Sequence, residues 1–220
     1  MKIGIIGAGN IGGTLAGRLT DLGHDVEIAN SRGPDTLGDV AERTGAKPVA
    51  TGDAPRGKDV LVITVPQAKV PDLPDDLLED ASDDLIVVDT GNYYPQQRDG
   101  AIDAIESGTP ESVWVSEQIG HPVVKAFNNI YAAHLGEKGQ EQGTEGRIAL
   151  PVAGDDQHAK EVVLGLVDEL GFDPGDAGGL DESWRQQPGT PVYAADLGAD
   201  ELRSALGETK PGRPEDFQAL

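Results

Sequence analysis

Short, almost wholly apolar runs alternate with longer polar stretches along the first 90 residues of the chain. Such runs occur at residues 3–6, 26–29, 60–65 and 85–88. A strand that is buried on both faces of a parallel sheet has this continuous apolar character. Between the first two runs, apolar side chains recur at helical spacing until a glycine ends the pattern, at Ile11, Leu15, Leu19, Leu22 and then Gly23. The pattern therefore predicts strand, helix and strand at the start of the chain.

A glycine-rich turn joins the first predicted strand to the first predicted helix. Its sequence, GAGNIG at 7–12, fits the G-x-G-x-x-G pattern in the strand–turn–helix context that this pattern requires. In such turns the first glycine allows the tight bend, the second lets a pyrophosphate approach the backbone, and the third lets helix and strand pack closely. We predict that a dinucleotide binds here, rather than that the turn is only structural, through Gly7, Ala8, Gly9, Asn10, Ile11 and Gly12.

The end of the second strand indicates which dinucleotide binds. Sites that prefer NAD have an Asp or Glu at this position, which accepts hydrogen bonds from the ribose 2′-hydroxyl. Here the chain reads Asn30-Ser31-Arg32, and Glu27 lies too early, inside the strand. The planar guanidinium of Arg32 suits a phosphate, and Ser31 and Asn30 can donate further hydrogen bonds. We therefore expect NADP(H) rather than NAD(H); the alternative for Arg32 is a solvated loop residue.

Strands and helices continue to alternate to the end of the chain, which is typical of the α/β class. Further strands are predicted at 48–50, 113–115, 123–127, 148–154 and 172–176. Helices are predicted at 35–44, at 99–107, at 155–170 with Asp155 as cap, and up to about residue 206, with helical character at 67–84 and an exposed loop at 136–146. We expect a Rossmann doubly wound parallel sheet, with residues 1–120 as the NADP-binding domain and 121–220 as a small C-terminal α/β lobe.

Polar or turn-forming residues follow two of the later strands directly. The carboxyl ends of parallel strands line the ligand crevice of such a sheet. We therefore expect the cofactor to run along the residues at these ends, namely Thr64, Val65, Pro66, Thr90 and Asn92. Pro66 has the alternative role of simply ending its strand.

Charge and composition narrow the classes of partner. The 220 residues include 39 acidic and 17 basic side chains, for a formal net charge of −22. Such a surface repels nucleic acid and anionic membranes. It also suits a cytoplasm with high salt, the alternative being an ordinary acidic protein. The chain contains no cysteine and no apolar run of membrane-spanning length, and it enters its first strand without a signal peptide, so we expect a cytoplasmic protein with no membrane partner.

At this point the chain resembles the F-420-dependent NADP oxidoreductases over nearly its whole length. The residues that carry the resemblance are the turn 7–12, Asn30-Ser31-Arg32, the strand ending in Thr64-Val65-Pro66, the segment 123–133, and 150–156 with the following helix and 176–178. The resemblance implies an N-terminal Rossmann domain, a small C-terminal lobe, and direct hydride transfer between NADPH and a deazaflavin, coenzyme F-420. The deazaflavin would stack over the nicotinamide in the cleft between the lobes.

The predicted acceptor site lies where the chain departs from that family. Members with established deazaflavin activity have a histidine at the position of Asn128, and they lack segments 92–95 and 184–187 in this form. We predict that the acceptor contacts Asn128, Ile130, Trp184 and Arg185, and that Ala132 belongs to the cofactor-binding residues. Asn128 has the alternative role of a helix cap, and Trp184 that of filling the core of the small lobe.

Three classes of function stay open: a deazaflavin-linked oxidoreductase, an NADPH-dependent reductase of another small acceptor (flavin, ferric complex, carbonyl or imine), and a non-catalytic NADP(H) sensor. Hydride transfer between two bound cofactors needs stacking and orientation rather than an acid–base pair, so no catalytic side chain is assigned. The four histidines are scattered, so no metal site is predicted, although His121 and His134 are nearest the expected cleft. The expected partner is a small-molecule or cofactor acceptor, and a homodimer is one option for the assembly.

Overall fold

A six-stranded parallel sheet forms the centre of the molecule. The computed structural model describes residues 1–219. The strand order is β3-β2-β1-β4-β5-β6, in which the chain runs outward from β1 to one edge and then returns to build the other half. The strands are β1 (Lys2–Ile6), β2 (Asp25–Ala29), β3 (Lys47–Pro48), β4 (Val60–Ile63), β5 (Ile86–Asp89) and β6 (Val123–Lys125). This order is that of the doubly wound dinucleotide-binding sheet, so the predicted fold class is confirmed.

Apolar layers cover both faces of the sheet. Neighbouring strand residues point to opposite faces, so Ile5 and Val62 lie in one apolar cluster while Ile6 and Leu61 lie in the other. The helices that accompany the chain are α1 (Asn10–Asp21), α2 (Gly38–Thr44), α3 (Asp103–Glu106), α4 (Glu111–Ile119), α5 (Ala132–Glu137), α6 (Gln157–Glu169) and α7 (Ala199–Glu208). Burial of the strands on both faces explains why they read as continuous apolar runs.

The C-terminal part builds a second, two-stranded parallel sheet from β7 (Ala149–Val152) and β8 (Asp173–Asp176). An antiparallel bridge between Lys125 and Ala153 joins it to the end of β6. The large sheet therefore continues past residue 120 to Lys125, and the side chains of β7 and α6 share an apolar cluster with those of β1. The division into residues 1–120 and 121–220 stays a prediction.

Some predicted elements differ from the structure. The strand predicted at 113–115 is wrong: these residues lie inside α4, which is followed by Gly120 in a left-handed conformation. Three apolar residues are too few to distinguish a strand from the buried side of a helix. Asp156, not Asp155, caps α6, since its Oδ1 accepts from the backbone N–H of Ala159 at 2.7 Å.

Several predicted helices are shorter or of a different type. Residues 67–84 contain a 3₁₀ helix at Gln67–Asp72 followed by turns, and Pro71 inside it excludes a regular α-helix. The predicted helix at 35–44 is split into a 3₁₀ turn at Pro34–Thr36 and α2. The helix predicted at 99–107 is reduced to α3, after a π-helical turn at Pro95–Asp99. The last helix begins only at Ala199, because turns occupy the residues before it.

Candidate active site

The glycine turn leaves an open helix N-terminus at the carboxyl edge of the sheet. Gly7 has a φ of +113°, and a Cβ there would lie 2.4 Å from Thr64 Oγ1. A Cβ on Gly12 would lie 1.9 Å from the carbonyl oxygen of Gly7, whereas a Cβ on Gly9 would meet no atom within 4 Å. Gly7 and Gly12 are thus needed for packing, and Gly9 faces free space.

The first turn of α1 has unpartnered backbone donors. Gly9 is the N-cap residue and offers no side-chain acceptor, and the first turn contains no acidic residue. The leading N–H groups of an α-helix have no partner inside the helix. The N–H groups of Asn10, Ile11 and Gly12, together with the positive end of the helix dipole, can therefore accommodate an anion.

The turn after β2 presents Ser31 and Arg32 to solvent. Asn30 is 9% exposed, and its Oδ1 accepts from the backbone N–H of Arg32 at 2.9 Å while its Nδ2 donates to Thr36 Oγ1 at 3.0 Å. Asn30 therefore holds the turn in shape, and the expectation that its amide is free for the 2′-phosphate is not supported. Within residues 1–219 the Arg32 guanidinium makes no hydrogen bond or ion pair, so it is free to bind an anion.

Thr64 connects the end of β4 to the glycine turn. Its Oγ1 donates to the carbonyl oxygen of Gly7 at 2.8 Å, and its backbone N–H donates to that of Ile6 at 2.8 Å. The side chain thus fixes the conformation of the turn. Val65 and Pro66 follow at the strand end and are half-buried, and Pro66 precedes the 3₁₀ helix Gln67–Asp72.

A buried ion pair fixes the loop after β5. Asp89 and Lys125 are register partners in β5 and β6, and both are almost fully buried. Lys125 Nζ lies 3.0 Å from Asp89 Oδ2 and also donates to the carbonyl oxygen of Gly91. The second oxygen of Asp89 accepts from the backbone N–H of Gly91 at 2.7 Å, and Ser112 Oγ donates to Oδ2 at 2.8 Å. This network holds Thr90 and Asn92 in place.

The predicted acceptor residue Asn128 belongs to a buried amide cluster. It is 3% exposed, and its Nδ2 donates to Asn92 Oδ1 at 3.1 Å and to the carbonyl oxygen of Gln186 at 2.7 Å. Its Oδ1 accepts from Gln186 Nε2 at 2.9 Å. The structure thus brings Asn128, predicted to contact the acceptor, next to Asn92, predicted to contact the cofactor, and engages the Asn128 amide within the protein. Asn128 is also not a helix cap, since Tyr131 precedes α5.

Backbone strain marks the same place. Phe127 and Ala194 are the non-glycine residues with positive φ among residues 1–219, at +61° and +54°. The N–H of Ala194 donates to the carbonyl oxygen of Asn129 at 2.9 Å, which ties Ala194 to the chain two residues after Phe127. Left-handed backbone in bulky residues is rare and is frequently found at functional sites.

Two tyrosine hydroxyls meet near this cluster. The hydroxyls of Tyr94 and Tyr193 are in hydrogen-bond contact, and Phe217 packs against Tyr94 with ring centroids 6.4 Å apart. Burial, and then the neighbouring Tyr94 hydroxyl, raise the pKa of Tyr193 above its usual range. The Tyr193 hydroxyl therefore keeps its proton at neutral pH and can act as a hydrogen-bond donor.

The structure does not bring Arg185 to the crevice. Its guanidinium pairs with Glu182, donates to the carbonyl oxygens of Leu206 and Thr209 near the end of α7, and stacks on Trp184. The expectation that Arg185 binds an anionic acceptor is thus not supported.

The remaining predicted residues are spread over several environments. Trp184 lies beside a separate cavity with Pro110 and Pro188. Ile130 is 6% exposed within the core, and Ala132 begins α5.

The histidines and carboxylates do not form a metal site in the part of the chain that the structure describes. His134 pairs with Asp196 at 2.9 Å, and His121 Nδ1 lies 2.7 Å from the carbonyl oxygen of Pro122. None of the helices in residues 1–219 is long and apolar enough to cross a membrane.

Sequence reasoning missed most of the polar groups beneath the site. These are Lys125, Asp89, Glu111, Gln67, Gln186 and Arg213. A lysine inside an apolar strand, Val123-Val124-Lys125-Ala126-Phe127, was a usable signal, because a buried lysine needs an acidic partner. The partner Asp89 ends the preceding strand of the sheet. No comparable signal exists for Gln186 or Arg213, whose contacts cross long stretches of chain.

The strand order, the glycine turn and the uncapped helix at the carboxyl edge define the Rossmann class of dinucleotide-binding folds. A model of the family described as NADP oxidoreductase, coenzyme F-420-dependent, matches residues 2–93. The crystal structure of a hypothetical protein from Sinorhizobium meliloti is 37% identical, covers 90% of this chain and 95% of that one, and has a TM-score of 0.76.

Two further relatives match parts of the chain. A structure from Arthrobacter sp., described as a candidate F-420-dependent NADP reductase, is 25% identical over 84% of this chain and 87% of that one, with a TM-score of 0.69. The Escherichia coli protein YjhV is 45% identical over 71 residues, 32% of this chain and 52% of that protein, so the match spans about half of this curated relative. The chain belongs to the F-420-dependent family of NADP oxidoreductases.

Proposed function

We propose that this protein transfers hydride between NADPH and a deazaflavin of the coenzyme F-420 type. The observation that carries the proposal is an open helix N-terminus beside an exposed arginine. The helix follows β1 and Arg32 follows β2, and these two strands are neighbours in the sheet. Together they offer one place for a diphosphate and another for a 2′-phosphate, the two anionic groups of NADPH.

The glycine turn supports the binding of a diphosphate. A diphosphate can approach the backbone closely at Gly9, because a Cβ there would meet no atom within 4 Å. The backbone N–H groups of Asn10, Ile11 and Gly12 would then donate to the phosphate oxygens, as is usual at helix N-termini. No acidic side chain in the first turn opposes this binding.

The turn after β2 supports the choice of NADPH over NADH. The ribose 2′-phosphate would lie between Ser31 and Arg32, and no carboxylate occupies the strand tip to favour a free 2′-hydroxyl. Arg32 has no competing partner within the described residues, and Asn30 holds the turn so that both side chains face outward.

The loops after β5 and β6 support an acceptor site next to the nicotinamide. NADPH, when bound, supplies the hydride. The Asp89–Lys125 pair holds loop 90–92 rigid. This loop would then form a rigid wall that orients the nicotinamide ring and the acceptor ring. Among the described residues, three buried amide oxygens near this wall have no hydrogen-bond donor, on Gln67, Asn129 and Gln186. Such acceptors suit the carboxamide N–H groups of nicotinamide and the ring N–H groups of a deazaflavin.

The tyrosine pair supports an acceptor with an electronegative atom that accepts a hydrogen bond. Burial raises the pKa of Tyr193, so this hydroxyl keeps its proton at neutral pH. The contact between the Tyr94 and Tyr193 hydroxyls at the end of loop 90–94 fixes a donor that can hydrogen-bond such an atom as the acceptor is reduced. The same pair would serve reduction of a carbonyl or an imine, which keeps those acceptors as the alternative.

A screen of NADPH oxidation tests the proposal. Purified protein is mixed with NADPH and, in parallel, with a deazaflavin, a flavin, a ferric chelate, small carbonyls or cyclic imines. We expect oxidation to be fastest with the deazaflavin and to disappear in Gly9→Val. Fast oxidation with another acceptor alone would reassign the substrate, and tight NADPH binding without oxidation by any acceptor would indicate a sensor.

A further inference from the structure

A cavity of about 380 Å³ lies between the segments 105–110, 184–190 and 211–213. It is separate from the glycine turn, and none of the residues proposed to bind NADPH lines it. Gln186 donates to Asn128, whereas Gln187, the next residue, has extended backbone and lines the cavity. Gln186 ends the 3₁₀ helix Leu180–Gln186 and contacts the amide cluster, whereas Gln187 lines the cavity, so this short segment separates the cavity from the amide cluster of the proposed acceptor site.

Two side chains lining the cavity carry N–H groups without a partner. Within residues 1–219, Arg213 Nη1 and Gln187 Nε2 are buried and make no hydrogen bond. The two side chains touch through their other atoms, since Arg213 Nη2 lies 3.4 Å from Gln187 Oε1. A buried donor without a partner is destabilising, so two of them at one cavity indicate a group that supplies two acceptor atoms.

A buried carboxylate holds Arg213 in this position. Glu111 is fully buried, and its Oε1 lies 2.6 Å from Arg213 Nη2 while its Oε2 accepts from the backbone N–H of Tyr93 at 3.1 Å. The guanidinium also stacks over the Tyr93 ring, 5.0 Å from its centroid. Arg213 is therefore rigid before any ligand arrives, with one edge occupied by Glu111 and the other edge unused.

We propose that this cavity binds the carboxylate of a small apolar acid. One carboxylate oxygen would accept from Arg213 Nη1 and the other from Gln187 Nε2, which gives a partner to each of these two groups. The walls formed by Trp184, Pro110 and Pro188 suit a flat, apolar body. Asp181 also lines the cavity, and its charge repels any anion there, a ligand with two negative charges more strongly than one with a single charge.

Tryptophan fluorescence measures this binding without NADPH. The chain has two tryptophans, and Trp184 lines the cavity whereas Trp114 lies buried in α4. Benzoate is titrated into the protein, with benzyl alcohol as the uncharged analogue of the same shape. We expect saturable quenching by benzoate and at least tenfold weaker binding of benzyl alcohol. In Trp184→Phe the fluorescence signal should be lost, so calorimetry then measures the benzoate affinity of that variant.

Two variants and one control test the assigned donors. Gln187→Leu removes an N–H group that has no partner in the protein, so it should leave the folded state intact while weakening benzoate at least tenfold. Arg213→Lys keeps a cation beside Glu111 but removes the second N–H edge, and should weaken benzoate similarly. Arg203→Gln, on the exposed side of α7, should change nothing.

Other results would overturn the proposal. The proposal is wrong if benzoate does not bind or if benzoate and benzyl alcohol bind equally well. It is also wrong if Gln187→Leu binds benzoate with unchanged affinity. The measurement is independent of the proposed function, since it uses neither NADPH nor an electron acceptor. A negative benzoate titration would not change the result of the NADPH oxidation screen. A negative oxidation screen would likewise not change the conclusion about carboxylate binding in the cavity.

Discussion

The three glycines of the turn at 7–12 have different tasks although they share one motif. Gly7 and Gly12 lie against Thr64 and against each other, whereas Gly9 faces empty space. The sequence predicts all three from their spacing, because the motif combines a tight bend, a phosphate approach and a close helix–strand contact. What the sequence does not show is that Thr64 holds the turn from another strand.

Gly9→Val should therefore abolish NADPH binding while leaving the fold intact. Gly9 has φ of −78° and ψ of −164°, which valine also adopts, so the change costs only about 1 kcal/mol of helix capping. Calorimetry with NADPH and circular dichroism measure the two effects. The matched change Gly12→Val should instead unfold the protein, because its side chain would overlap the Gly7 carbonyl group. Normal NADPH binding by Gly9→Val would show that the turn is only structural.

Arg32→Ala should separate NADPH from NADH. A charge-assisted hydrogen bond contributes roughly 1.5–3 kcal/mol, so losing the arginine should weaken NADPH about tenfold or more. NADH lacks the 2′-phosphate, and its dissociation constant should stay the same. Arg203→Ala, another exposed arginine, serves as the control for the general loss of one positive charge in an acidic protein. Equal weakening of both nucleotides would contradict the assignment.

The helices and strands around the site could be predicted where the residue pattern of the element itself determines its structure. Strands β1, β4 and β5 were recognised because each is buried on both faces and is therefore apolar throughout. Residues 113–115 were predicted as a strand because they form an apolar triplet. The polar residues on either side of the triplet belong to the same helix, α4. The sequence also placed Asn92 and Asn128 at neighbouring strand ends, but the partner that occupies Asn128 is Gln186, which follows 58 residues later.

The buried pair between β5 and β6 makes a prediction at this scale. Lys125→Met should lower the free energy of unfolding by about 3–5 kcal/mol, since Asp89 would remain buried without its partner. Urea denaturation measures this loss. The double variant Asp89→Leu/Lys125→Met removes both charges, and should recover part of the stability lost in the single variant. NADPH oxidation should stay low in both, because the loop carrying Thr90 and Asn92 is no longer fixed.

A single variant that is as stable as the wild-type protein would contradict this account. So would a double variant that regains full activity, since loop 90–92 would then be held by something other than the ion pair.

Across the whole molecule, the sequence predicted the main sheet and the edge where ligands bind, because both follow from local pattern and strand order. It did not predict the long-range contacts around the acceptor site and the neighbouring cavity. Tyr94 meets Tyr193, and Arg213 meets Glu111, over separations of 99 and 102 residues. These contacts depend on how the small C-terminal sheet and the chain after it fold back onto the loop after β5. No local periodicity encodes that packing.

The acidic surface is the remaining property of the whole molecule, and it makes the last prediction. A formal charge of −22 opposes the compact state by self-repulsion. Raising KCl shortens the screening length from about 10 Å at 0.1 M to about 3 Å at 1 M, so the free energy of unfolding in urea should rise with salt. The control variant replaces Asp75, Asp76, Asp83 and Asp84, four exposed carboxylates without ion pairs in the described residues, by asparagine. Its salt dependence should be weaker, because fewer like charges are left to screen. If stability falls with KCl, or if the variant has the same slope as the wild-type protein, self-repulsion does not limit the stability of this fold.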